Sequence, residues 1–153
     1  MKMAFTLVEL IIIMCILGIV ASIVVPTLAN YTAEVKQSAA KDNLRTLRTF
    51  IEIYASNNEG VPPGFPGNDT QQVPDADVFV SQMTSPGTSA AIITFPKNPY
   101  NEKNSVKIIA DSDNFPAAAV DTGTYGWIYQ PSTKKIRLNW PGLDNTGVSY
   151  FNY

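Results

Sequence analysis

The sequence predicts an α+β fold: a long N-terminal α-helix, its first half able to span a membrane, packed on a small C-terminal antiparallel β-sheet head. Three observations lead there. Residues 5–25 read FTLVELIIIMCILGIVASIVV and hold a single charge, Glu9; the next charged residue is Glu34. Beyond that run, apolar residues keep returning at helical spacing. From Gly60 onward the composition changes, and most of the 9 glycines and 11 prolines fall in that half of the chain.

The apolar run comes first. A helix of about 20 residues crosses the ~30 Å hydrocarbon core of a bilayer, and this segment is long enough. Lys2 lies on its N-terminal flank, which favours an N-in, C-out orientation. A cleavable secretory signal would pair a basic start with a shorter apolar stretch and a small-residue cleavage site. Here the basic start is Lys2 alone, and Ala21 and Ala29 lie near or beyond the end of the run. A plain transmembrane anchor accounts for the run but not for Glu9. A carboxylate at the centre of a membrane costs on the order of 2–4 kcal/mol, and less near the helix end. Glu9 either snorkels to the interface or meets a cation when chains pack together. The two are compatible, as states before and after assembly.

The helix continues past the membrane. Leu44, Leu47, Ile51 and Tyr54 recur at steps of three and four, and Phe50 and Ile53 widen the stripe. Arg48 and Glu52 are spaced for an i,i+4 surface pair. Asn57, Asn58, Glu59 and Gly60 supply residues suited to a left-handed C-cap. One helix from about residue 6 to about residue 56 follows, on the order of 75 Å long. Gly18 and Pro26 are its weak points, because proline removes a hydrogen bond and crowds the preceding turn. Cys15, the single cysteine, reads as a small apolar filler.

The head follows a proline- and glycine-rich connector, VPPGFPGND (61–69). Residues 75–83 suit a short helix capped by Asp75. Residues 106–110 read as a strand, and 125–129 and 135–140 as a hairpin joined by 130–134. Tyr125, Trp127 and Tyr129 share one face of the first hairpin strand; Ile136, Leu138 and Trp140 share one face of the second. An antiparallel sheet packed on the helix would bury both stripes.

Residues 5–26, FTLVELIIIMCILGIVASIVVP, resemble the processing and assembly signature of type IV pilins and type II secretion pseudopilins. The resemblance implies that a prepilin peptidase removes the leader MKMA between Ala4 and Phe5, where the family normally carries glycine before the cut. It implies that Phe5 becomes a methylated N-terminus and that Glu9 pairs with a neighbour's terminal amine during assembly. Pro26 matches the family's helix-disrupting proline. More weakly, residues 95–108, 125–140 and 143–153 look like the head of major pseudopilins. The implied organisation is a leader at 1–4, a transmembrane and filament-core helix at 5–29, an amphipathic second half at 30–58 and a globular head at 59–153.

The implied function is a structural filament subunit of a bacterial pilus or pseudopilus. It would be a single-pass inner-membrane protein with a periplasmic head, and it would assemble into a periplasmic or surface homopolymer with the help of assembly machinery. The alternative from another class is an uncleaved, membrane-anchored periplasmic binding module. An enzyme is not expected. The chain has no histidine, so Ser-His-Asp and Cys-His catalysis cannot be built, and no paired acidic motif stands out. With 11 basic and 13 acidic residues there is no polycationic footprint, so no nucleic-acid partner is expected. No cofactor is expected either. Family resemblance raises calcium in the C-terminal loop, where Asp144 and Asn145 are weak candidates. Calcium wants six to eight oxygens, and a plain Asx turn before Gly147 is the competing reading.

Overall fold

In a computed structural model of the chain, residues 6–85 and 92–153 are described, with the backbone alone over 25–30. The chain forms two compact units, Met1–Lys36 and Gln37–Tyr153. Helix α1, Leu7–Asn57, supplies residues to both. Its backbone is helical through residue 26, so the expected weak point does not end the helix; the Pro26 side chain lies outside the described residues. The helix stops where the sequence offers a left-handed turn. Glu59 and Gly60 take φ of 55° and 89°, and the Gly60 N–H closes on the Ala55 carbonyl at 2.8 Å. The Asn58 amide donates to the Tyr54 carbonyl at 2.8 Å, occupying another of the last turn's free acceptors.

Within the second unit, Ala40, Leu44, Leu47 and Ile51 are fully buried at steps of four, three and four, the single apolar face of an amphipathic helix. They form one core with Val106, Trp127, Tyr129, Ile136 and Leu138 from the sheet. Helix α2, Ala76–Thr84, adds Phe79 and Met83. Asp75 starts α2 as expected, its Oδ1 accepting from the N–H groups of Asp77 at 2.9 Å and Val78 at 3.0 Å. The cap aims Phe79 inward, where its ring stacks on Tyr129 at 4.3 Å and meets Phe95 edge-on at 5.8 Å.

The sheet has the order β1-β2-β3, with β1 at Val106–Ile108, β2 at Trp127–Gln130 and β3 at Lys135–Leu138. Strands β2 and β3 form the expected hairpin, with Trp127 opposite Leu138 and Tyr129 opposite Ile136. Strand β1 corrects the all-antiparallel expectation, because it runs parallel to β2, with Val106 opposite Trp127. The intervening segment 109–126 is long enough to return the chain to the starting edge, as a parallel pair requires. Gly126 closes that return. A Cβ there would lie 2.1 Å from the Lys103 carbonyl oxygen, so only glycine lets the two backbones approach.

The sheet is covered on both sides, and all four residues of β2 are buried. The second face packs Ile128 against Ile109 and Phe151, with Phe115, Ala119 and Val120 around them. Tyr125 stays outside β2, its ring 5.7 Å from the Lys107 ammonium. Two buried amides knit the loops to this frame. Asn98 donates to the Gly126 carbonyl at 3.0 Å and accepts from the Tyr100 N–H at 2.9 Å. Asn139 donates to the carbonyls of Val120 at 2.7 Å and Tyr125 at 2.8 Å, and accepts from the Val120 N–H at 2.9 Å. The expected Arg48–Glu52 surface pair is replaced by longer-range bonds. Glu52 pairs with Lys134 at 2.9 Å, and Arg48 donates to the carbonyls of Ile136, at 3.3 Å, and Tyr153. These bonds tie the helix to the β2–β3 hairpin and to the C-terminal residue, which an i,i+4 pair would not.

Candidate assembly site

Leu7–Val24 is long and apolar enough to cross a membrane, and none of it is buried within the chain. Leu, Ile, Val and Met side chains are exposed on every side of the helix, and Cys15 is exposed among them. A helix apolar all round is stable in lipid or inside a bundle of like helices, not in water. The first unit therefore presents a surface that only an apolar surrounding can satisfy.

Glu9 sits in the first turn of α1 and is exposed. Its Oε2 accepts from the Thr6 N–H at 3.1 Å and from the Thr6 hydroxyl at 3.0 Å. The Glu9 N–H in turn donates to Thr6 Oγ1 at 3.2 Å. Thr6 also offers its carbonyl to the Leu10 N–H at 3.3 Å. This is a reciprocal capping box. Two donors that would otherwise be orphaned at a helix start are satisfied, and a carboxylate lies at the positive end of the helix dipole. Sequence reasoning missed the Thr6 role, although the signal was present: threonine followed three residues later by glutamate ahead of an apolar run. The box holds the Glu9 carboxylate against Thr6. Ala4 and Phe5, expected to flank a processing point, lie outside the described residues.

The second expected site, the 144–145 loop, turns out to be closed. The Asp144 Oδ1 accepts from the Thr146 N–H at 2.8 Å, the Thr146 hydroxyl at 2.7 Å and the Val148 N–H at 2.9 Å. Its Oδ2 accepts from the Tyr153 hydroxyl at 2.8 Å and the Gln37 amide at 3.3 Å. The Thr146 hydroxyl above all, with the Tyr153 hydroxyl and the two N–H groups, holds this carboxyl well below the usual range, against burial, which pushes it up. Burial first, and Asp144 second, push the Tyr153 phenol up. Both oxygens face donors, which a calcium ion would have to displace, and Asn145 is exposed beside them. The residues present do not fit calcium. They fit an Asx turn that ties the loop to the C-terminal residues.

The aromatic residues divide between the units. Tyr31 is exposed, whereas Phe50 packs on the core and Tyr54 is buried with its hydroxyl 2.7 Å from Asn68 Oδ1. Tyr150 and Tyr153 pack at the margin of the core, and Phe151 is buried in the second cluster.

No protein-family model matches the chain, and no solved structure matches it. Curated relatives do. The chain is 30% identical over 128 residues to the type IV major fimbrial protein FimA of Dichelobacter nodosus, covering 83% of this chain and 81% of that protein. It is 42% identical over 55 residues to the type IV major pilin protein PilA of Myxococcus xanthus, covering 36% of this chain and 25% of the relative. The first alignment spans most of both chains. Together with the exposed apolar helix and the self-contained head, this similarity makes the chain a member of the type IV pilin family.

Proposed function

We propose that the chain is a structural subunit that polymerises into a type IV pilus filament. The observation that carries this is the division of labour between its units. Residues 37–153 bury a complete core of their own, while Leu7–Val24 buries nothing and is apolar but for Glu9 and Ser22. The subunit waits in the inner membrane as a single-pass protein with its head outside. A prepilin peptidase cuts between Ala4 and Phe5, and the new Phe5 amine is methylated. Assembly machinery then draws the helix from lipid into a bundle of identical helices, which replaces the bilayer as its apolar surrounding. Glu9, already oriented by Thr6, accepts the charge of a neighbour's Phe5 amine and sets axial register. Pro26 is where the helix yields on packing.

The names of both relatives support a pilus over a secretion pseudopilus, and they support a structural role over a catalytic one. An uncleaved anchor carrying a binding head is the disfavoured alternative.

The test joins intact-mass and N-terminal analysis of the sheared surface fraction with the Glu9→Ala variant. The expected outcome is a mature wild-type chain beginning at methylated Phe5 in sheared filaments, and a membrane-inserted Glu9→Ala chain that yields few. An uncut terminus on the wild-type chain, or an undiminished filament yield from Glu9→Ala, would refute the proposal.

A further inference from the structure

Basic residues of the second unit cluster on one surface. Six of the chain's 11 basic residues line two adjoining grooves that share Arg48 and Tyr153: Lys41, Arg45 and Arg48 on α1, and Lys134, Lys135 and Arg137 at the β2–β3 turn and on β3. The three helical residues follow one another at steps of four and three, on one face. Of these six, Lys134 alone has a side-chain carboxylate partner among the described residues, Glu52, which lines the groove with it. Arg48 and Arg137 both turn to the Tyr153 carbonyl, Arg137 at 3.1 Å, so two guanidiniums are held close together at the junction of the grooves. Lys41 and Lys135 lie over aromatic rings, of Tyr153 at 4.6 Å and Phe115 at 4.4 Å, which fixes their positions without neutralising them.

Part of the opposite charge gathers in one segment beyond α1. From Thr49 to Pro96 the chain has no lysine or arginine, and Glu59, Asp69, Asp75 and Asp77 are all exposed there. Side-chain bonds pin the segment from Asn58 to Gln82 that bears them. Asn68 donates to Asn58 at 2.8 Å, and Gln82 donates to the Phe65 carbonyl at 2.9 Å and to Asn68 at 3.2 Å. This acidic segment begins past the end of α1, on the order of 14 Å beyond Arg48 along the helix axis. The two surfaces are complementary yet displaced. Such a surface does not pair with itself about a two-fold axis; it joins head to tail, and a head-to-tail contact that fails to close continues as an open helix.

We propose that the basic groove of Lys41, Arg45, Arg48, Lys134, Lys135 and Arg137 is the docking surface for the acidic segment Glu59–Asp77 of a second copy of this chain. The inference rests on the filament function above and adds which head surfaces meet in it. Opposite charges steer neighbouring heads into register, and like charges brought together there are costly.

The experiment measures sheared filament from the full chain in assembling cells. Arg45→Glu with Lys135→Glu, and separately Glu59→Lys with Asp77→Lys, each lower the yield about tenfold or more, because each places like charges across the contact. The quadruple variant, with both signs exchanged, recovers toward wild type, a recovery that an unfolded head could not give. Either double variant assembling like wild type, or a quadruple variant that stays down, would overturn the docking surface while wild-type filaments leave the filament function standing. A wild-type chain that forms no filament would sink both.

Discussion

Replacing Asn139 with alanine isolates what one buried amide contributes to the head. The side chain is fully buried and makes three bonds to the crossover between β1 and β2. The Tyr125 carbonyl keeps a partner when Asn139 is truncated, because Asn101 also donates to it at 3.0 Å. The N–H and carbonyl of Val120 lose theirs. An orphaned buried backbone group costs about 1–3 kcal/mol. Val120 is half-buried, so water reaches it in part and the lower end of that range applies to each group. The sum is about 2–4 kcal/mol, a large share of the ~5–15 kcal/mol that holds a typical domain. A domain of this size loses roughly 3–6 °C of Tm per kcal/mol, so Tm falls by roughly 6–24 °C. The assay is thermal unfolding of the detergent-solubilised chain followed by near-ultraviolet circular dichroism. Both tryptophans, Trp127 and Trp140, lie in the head, so that signal ignores the helix held in the micelle. Asn104→Ala, at an exposed position, is the control. If the two variants melt within about 0.5 kcal/mol of each other, as surface substitutions do, the satisfaction argument is refuted.

Two further outcomes follow from the head. Gly126→Ala forces a Cβ against the Lys103 carbonyl. It should destabilise the head by about 2 kcal/mol or more, measured by the same melt, because the clash is with backbone and not with the far end of a flexible side chain. Asp144 has a lowered pKa, so its contribution is complete above the unfolded carboxyl value and is lost only as pH falls through the depressed folded value. Amide exchange at Thr146 and Val148 should stay slow on acidification past the ordinary aspartate range. Asp144→Asn should speed exchange and flatten its dependence on acid; an unchanged acid profile in that variant would refute the assignment.

The parts legible in the sequence are those governed by local rules. Periodicity placed α1 within a residue at each end, and Asp75 announced α2, because caps and apolar stripes act over a turn or two. The hairpin was legible for the same reason. The direction of β1 was not, since it depends on where segment 109–126 carries the chain. Nor was the second buried face. Alternation in β2 suggests one wet side, yet β2 is the central strand and Ile128 is covered by Phe151 from the tail. Asn98, Asn139 and Arg48 read as surface residues in a sequence. Their partners are main-chain groups, and nothing in a side-chain pattern reveals a main-chain group many residues away. At the candidate site, Glu9 stood out by its charge, whereas Thr6 was hidden by its ordinary chemistry.

The sheet has an outer edge that matters when many heads are crowded together. An open strand with free donors and acceptors can recruit another strand, and the local concentration along a filament would make such errors frequent. Strand β1 limits the hazard on its side by being three residues long. On the other side, Arg48 reaches the Ile136 carbonyl, Lys135 and Arg137 place cations along β3, and the turn at Tyr150–Asn152 lies over the strand. The same arginine that joins helix to sheet thus occupies an acceptor that a foreign strand would need, which lets the molecule be packed at high density without being drawn into a cross-β aggregate.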